Sequence, residues 1–169
     1  MLRIATLAQG DAQKIAAAFA AIGWQSHKPA EQFDRYFAEQ QRSERAVLVA
    51  RLDEAFAGYV TIVWASAYEA FRSAGIPEIA DFNVLPALRR RGIGTALMDA
   101  AEALAAERSE TVGIGVGLYP DYGPAQRLYV LRGYVPDGRG IAWRGRNAEP
   151  MDAVVVDDDL TLHLTRKLR

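Results

Sequence analysis

Val84-Leu-Pro-Ala-Leu-Arg-Arg-Arg-Gly-Ile-Gly-Thr-Ala-Leu97 is the stretch on which the reading of this chain turns. An apolar run, Ile79 to Val84, has strand character and leads into it. Pro86 bends the chain, three arginines and two glycines follow, and a helical pattern then continues for several turns. A strand, a tight turn and a helix start make an anion site: the first amides of a helix have no carbonyl one turn back, and the helix dipole adds about half a positive charge there. Gly92 and Gly94 allow backbone conformations and close approach that a side chain forbids, and Arg89, Arg90 and Arg91 raise the local potential. Two common phosphate loops do not fit. No lysine follows either glycine, as a P-loop requires, and Leu97 stands where a dinucleotide fingerprint needs its third glycine.

The spacing that fits is Arg89-x-x-Gly92-x-Gly94, which resembles the (Gln/Arg)-x-x-Gly-x-(Gly/Ala) motif of the GNAT superfamily of N-acetyltransferases. In that superfamily the loop holds the pyrophosphate of acetyl-coenzyme A (acetyl-CoA). A second motif stands in the expected order: after a strand-like run from Thr111 to Leu118, Ala125-Gln-Arg-Leu-Tyr129-Val-Leu-Arg-Gly133-Tyr134 matches Ala-x-x-x-Tyr-x-x-x-Gly-aromatic. The resemblance is detailed over residues 77 to 137 and loose over the rest.

The resemblance implies an α/β (α+β) fold in one domain, residues 1–169, with a mixed, largely antiparallel twisted sheet of about six to seven strands, about four flanking helices and a splayed central strand pair. Acetyl-CoA is implied as co-substrate, bound by Phe82, Asn83, Val84, Arg89, Arg90, Arg91, Gly92, Ile93, Gly94, Thr95, Ala125 and Tyr129. Tyr129, four residues before Gly133, takes the place of the phenol that protonates the departing thiolate. Asp81 and Glu78 are the candidate proton acceptors for the amine, directly or through water, and a backbone N–H near Val84 or Leu85 is the candidate oxyanion donor. One departure stands out: where many relatives carry asparagine, three residues before the helix alanine, this chain has Tyr122.

Composition narrows the alternatives. With 20 basic and 21 acidic residues the net charge is −1, so Arg89-Arg90-Arg91 is a local patch rather than part of a nucleic-acid surface. The absence of cysteine excludes disulfides, thiolate metal sites and a cysteine nucleophile. His27 and His163 are the only histidines and have no His-x-x-x-His spacing, so no metal is expected. The first residues lack the apolar stretch of a secretory signal, and no run reaches the roughly 18 to 20 apolar residues of a membrane span. We expect a cytoplasmic protein without a membrane partner. The resemblance adds a homodimer as one assembly state.

The flanking elements follow from periodicity. Leu2 to Leu7 reads as a strand, and Asp11 as the cap of a helix from Ala12 to Ile22 ended by Gly23. A second helix runs from Pro29 to Gln41 with an aromatic stripe of Phe33, Tyr36 and Phe37. Together with the Gly23–Lys28 link and Trp24, this is where the resembled family builds its acceptor pocket. Ala46–Leu52 and Phe56–Ala65 read as a hairpin turning at Asp53-Glu54. A helix is expected from Gly92 to Arg108. Glycines at 113, 115 and 117 inside a strand mark a bulge or the close approach of another backbone or of the cofactor arm. Pro136 to Asp159 reads as an extended loop with a short strand at Ala153–Val156, and Leu160 to Thr165 as a final strand with His163 on its partly exposed side.

The function this predicts is acetyl transfer from acetyl-CoA to a primary amine of a small molecule or peptide. The alternative, from another class, is an acyl-CoA sensor that binds without turnover.

Overall fold

The computed structural model describes residues 1–24 and 28–169. His27 and the middle of the Gly23–Lys28 link lie outside the described residues. The elements are β1 (Leu2–Thr6), α1 (Asp11–Ala20), α2 (Ala30–Gln41), β2 (Arg45–Leu52), β3 (Ala55–Val63), α3 (Glu69–Ser73), β4 (Glu78–Val84), α4 (Ile93–Ala106), β5 (Thr111–Gly117), α5 (Gly123–Leu131), β6 (Val135–Trp143), β7 (Arg146–Asn147) and β8 (Leu160–Lys167). Among the described residues, eight strands form one sheet in the order β1-β2-β3-β4-β5-β8-β6-β7, one more than the upper end of the expected range, and five α-helices stand against about four expected. The sheet is mixed: β4 and β5 pair in parallel at Glu78–Gly113 and Ile79–Ile114, and β5 pairs antiparallel with β8 along its whole length.

The chain divides into two compact units, Met1–Trp64 with Ala80–Leu104, and Ala65–Ile79 with Ala105–Arg169. In the first, β1, β2 and β3 form an antiparallel meander. The β2–β3 turn places Asp53 (φ 49°) and Glu54 (φ 67°) in the left-handed region, as a two-residue turn matched to strand twist requires. Phe19 from α1, Phe33 from α2 and Tyr59 from β3 are fully buried, with ring centroids 5.2 to 6.3 Å apart. Burying each such ring contributes roughly 1.5–3 kcal/mol. Asp11 is the first residue of α1 rather than its cap. The left-handed Gly10 (φ 86°) precedes it, and the Asp11 carboxylate is drawn to the Ala8 N–H (2.8 Å) and the Arg51 guanidinium (2.6 Å).

The ends of α1, α2, α3 and α5 are made by one device, repeated. At the end of α5, the Tyr134 N–H donates to the Tyr129 carbonyl and the Gly133 N–H to that of Val130, around a left-handed Gly133 (φ 85°). This six-to-one, five-to-two pair satisfies carbonyls the helix leaves over, and the Tyr129–Tyr134 ring contact at 5.9 Å completes it. The same pairing recurs at Gly23 after α1 with Phe19 stacked on Trp24, at Gly75 after α3, and at Ser43 (φ 58°) after α2.

In the second unit, Pro136–Asp159 departs from its reading as a loop. Val135–Trp143 is strand β6, hairpinned to β7 and paired with β8, while Ala153–Val156 is not strand and leaves Val155 and Val156 exposed. Turn residues misled the reading because they sit inside the strand. Pairing jumps from Pro136–Leu164 to Ile141–Leu162, so residues 137–140 bulge opposite His163, with Gly138 (φ 83°) and Gly140 (φ 71°) left-handed. His163 is correspondingly buried, at 5% exposure, and not on a partly exposed side. Its ring stacks on Tyr68 at 3.7 Å, its Nδ1 has no partner among the described residues, and its Nε2 lies 4.0 Å from Glu78 Oε1, beyond hydrogen-bond reach.

The three strand glycines have a local cause. A Cβ on Gly113 would stand 2.2 Å from the buried Phe71 ring, one on Gly117 2.4 Å from the Tyr122 ring, and one on Gly115 3.2 Å from His163 Nε2. At alternate positions they form one face of β5, and the protein's own rings occupy it.

Two measurements test this packing. Gly113→Ala should cost about 1–3 kcal/mol in denaturant unfolding, because fully buried Phe71 has to move. Burial holds the His163 imidazole below its ordinary 6.5, so between that lower value and 6.5 the unfolded chain carries the extra proton. Stability should therefore fall as pH drops from 6.5 through that window and be insensitive to this group above it. His163→Phe keeps a ring against Tyr68 and should remove that part of the pH slope in melts compared from pH 5 to 8.

Candidate functional site

After β4, Pro86–Leu88 form a single 3-10 turn, and the chain reaches the start of α4 through Arg89 to Gly92. Arg90 (φ 63°) and Gly92 (φ 78°) are both left-handed, and the first helical bond joins the Ala96 N–H to the Gly92 carbonyl at 2.9 Å. The amides of Ile93, Gly94 and Thr95 therefore precede the helical ladder. A left-handed turn running into a helix N-terminus gathers N–H groups into an anion-binding concavity. Residues 89–92 and Thr95 are exposed, whereas Ile93 is buried and anchors the helix. Arg89 Nε donates to the Val84 carbonyl at 3.2 Å, so this arginine braces the turn. Gly94 packs closely on β4: a Cβ there would lie 3.1 Å from Phe82 Cζ.

Asp81 lies in mid-β4 with a left-handed backbone (φ 47°). Its Oδ1 accepts from Lys28 Nζ (2.5 Å) and Asn83 Nδ2 (3.0 Å). Its Oδ2 accepts from Gln32 Nε2 (2.9 Å), the Tyr36 hydroxyl (2.9 Å) and the Tyr59 hydroxyl (2.5 Å). Five donors meet a group with about four lone-pair sites. Burial, followed by the neighbouring Asp81 charge, pushes both phenols well above their ordinary range, so Tyr36 and Tyr59 remain donors. Arg45 lies over the Tyr36 ring at 4.2 Å. Asn83, expected on the cofactor, turns its amide to Asp81. The Leu85 N–H, a candidate oxyanion donor, is bound to the Ala57 carbonyl at 2.9 Å and is committed to the sheet.

The other candidates lie in the second unit. Glu78, at the start of β4, accepts from the Ser66 hydroxyl. Tyr129 is buried on α5, and burial raises its phenol above the ordinary tyrosine range. Ala125 lies on the first turns of the same helix, four residues before Tyr129. Tyr122, the departure from the motif, fills the space beside Gly117 and donates to Asp158 at 2.9 Å, while Gln126 Nε2 donates to the Gly117 carbonyl at 2.8 Å.

Sequence reasoning named Asp81, Asn83 and Tyr36 separately, but not that Gln32, Tyr36, Tyr59 and Lys28 meet at Asp81. Gln32 and Tyr36 stand one helical turn apart, and Tyr59 and Lys28 are 22 and 53 positions from Asp81. Nothing local signals that they converge.

The model of the acetyltransferase (GNAT) family matches residues 12–134. No curated protein matches the sequence. Among solved structures, a GNAT-family protein from Desulfovibrio desulfuricans is similar with a TM-score of 0.73 and 15% identity, covering 100% of both chains. YncA from Salmonella typhimurium, solved with its cofactor acetyl-CoA, has a TM-score of 0.68 and 16% identity over 99% of this chain and 94% of its own. A spermidine N-acetyltransferase chimera of Vibrio cholerae SpeG and hSSAT has a TM-score of 0.69 and 13% identity over 99% and 95%. At these identities the likeness is one of fold.

Proposed function

This chain belongs to the GNAT acetyltransferase family, and on that premise we propose that it transfers the acetyl group of acetyl-CoA to a primary amine of a small molecule or peptide. The observation that carries the reading is the turn ahead of α4: two left-handed residues, Arg90 and Gly92, followed by the leading amides of a helix whose entry is exposed. That geometry suits a diphosphate. The presence of acetyl-CoA with YncA supports the choice of ligand.

Acetyl-CoA supplies an acyl group activated as a thioester. The backbone amides of Gly92 to Thr95 hold its diphosphate, with Arg90 and Arg91 adding potential from the exposed side. Tyr129 donates a proton to the departing sulfur, a role supported by its motif position. The amine's proton goes to a β4 carboxylate, Glu78 or Asp81, directly or through water; protein donors meet both oxygens of Asp81, and Glu78 accepts from the Ser66 hydroxyl. The arrangement needs no metal.

The test is release of free thiol from acetyl-CoA by the purified protein with a panel of primary amines. Amine-dependent release supports the proposal; tight acetyl-CoA binding with no release from any acceptor overturns it in favour of a sensor. Tyr129→Phe should lower kcat by about 10² to 10⁴-fold while leaving acetyl-CoA affinity nearly unchanged. Gly94→Val, which drives a side chain into Phe82, should weaken acetyl-CoA binding more than Arg90→Ala, as measured by calorimetry.

A further inference from the structure

The five donors around Asp81 are not equivalent. Gln32 and Tyr36 are fixed on α2, Tyr59 on β3 and Asn83 on β4, whereas Lys28 precedes α2 and belongs to no helix or strand. Its ammonium sits 2.5 Å from Asp81 Oδ1 and 5.6 Å from the centroid of the Tyr59 ring. The side chains of the pair are only 15% and 18% exposed. A carboxylate beside an aromatic face, with its other oxygen held by two phenols and an amide, is a receptor for a primary ammonium ion.

Stability alone accounts poorly for this arrangement. Desolvating an ion pair offsets much of its attraction, and Asp81 also holds a left-handed backbone inside a strand, a strained conformation for a residue with a side chain. Such strain concentrates at ligand sites. Four of the five donors are rigidly placed, and they orient the carboxylate whether or not the fifth is present. The fifth, an unbranched amine on four methylenes, has the chemistry of an alkylammonium ligand and the freedom to leave.

We propose that the Asp81–Tyr59–Tyr36 cluster is the recognition site for the ammonium group of the acceptor, and that Lys28 occupies it as a built-in competitor until an acceptor displaces it. The inference rests on the proposed function in taking the acceptor to be a primary amine, and it adds where the amine is held and what it must displace. Exchange of one ammonium for another leaves the charge and the donor count at Asp81 unchanged. A neutral alcohol of the same shape gains no such exchange.

The experiment uses n-butylammonium chloride as probe, with n-butanol as its uncharged counterpart, and requires neither acetyl-CoA nor turnover. The chain has three lysines, and Lys14 and Lys167 are exposed, so protein labelled with [13C]lysine gives one buried ε-methylene signal and two exposed references. Lys28→Gln assigns the buried signal and keeps a donor toward Asp81. The expected result is that n-butylammonium, and not n-butanol, moves the Lys28 signal towards the references. Lys28→Gln should bind the probe at least about tenfold more tightly by calorimetry, and adding Asp81→Asn to it should abolish binding in protein that still melts cooperatively. A Lys28 signal unmoved at saturating probe, or equal affinity in wild type and Lys28→Gln, overturns the proposal. If Lys28→Gln fails to melt cooperatively, the wild-type signal alone decides by the same criterion. Failure of amine-dependent thiol release would overturn the proposed function while leaving this binding result standing.

Discussion

The Asp81 carboxylate is the constraint around which the first unit is arranged. It draws donors from α2, β3 and β4 and from the segment ahead of α2, so one side chain sets the position of α2 over the sheet as well as the conformation of mid-β4. The aromatic core and this polar cluster share a residue: Tyr59 packs edge-to-face against Phe19 and Phe33 while its hydroxyl reaches Asp81. Fully satisfied networks of this kind specify one geometry, because any displaced member leaves a buried group unpaired. The backbone strain at Asp81 persists because the surroundings over-determine it.

A different principle governs the second unit. There, bare backbone on one face of β5 meets rings from three elements: Phe71 of α3, His163 of β8 and Tyr122 ahead of α5. Glycines weaken a strand by their entropy and lack of side-chain packing. Here the neighbouring rings restore the contact, and pairing with β8 at seven consecutive positions secures the backbone. The bulge at residues 137–140 gives Asp137 room to accept from Tyr68, whose ring in turn stacks on His163. Glycines for which the sequence left open a bulge, another backbone or a ligand are explained by the protein's own side chains.

What was legible in the sequence follows from range. The α1, α2 and α4 helices and the β2–β3 hairpin were readable because periodicity and punctuation lie within a few residues, as with Gly23 ending α1 or Asp53-Glu54 turning the hairpin. Tyr129 and Gly133 were legible as a motif, and the structure gives their spacing a physical content, since Gly133 allows the six-to-one bond that closes on the Tyr129 carbonyl. Strand β6 was not legible, because Pro136, Gly138 and Gly140 are turn residues inside a bulged strand that only pairing with β8 defines. The burial of His163 failed to show for the same reason: alternation along β8 gave its face but not what covers that face. Of the partners of Asp81, Asn83 is two positions away, while Gln32, Tyr36, Tyr59 and Lys28 reach it only through tertiary packing, which no local pattern signals.

The anion turn shows how far a charge-based reading should be trusted. Three consecutive arginines invite a Coulombic account, yet they are exposed to water, where a charge is screened within about 10 Å at ordinary ionic strength. Arg89 already serves the Val84 carbonyl, and Arg90 contributes a left-handed backbone as well as a cation. The amides ahead of Ala96, by contrast, are fixed by the helix they begin, and Ile93 buries that helix start so that it cannot turn away. Donors held rigidly before a ligand arrives lose little entropy when it binds, whereas an arginine side chain loses up to about 2 kcal/mol of rotamer freedom. On the proposed function, recognition of a diphosphate at this turn would be a property of backbone shape, set by the left-handed Arg90 and Gly92 and by the helix start, with the arginines tuning its strength.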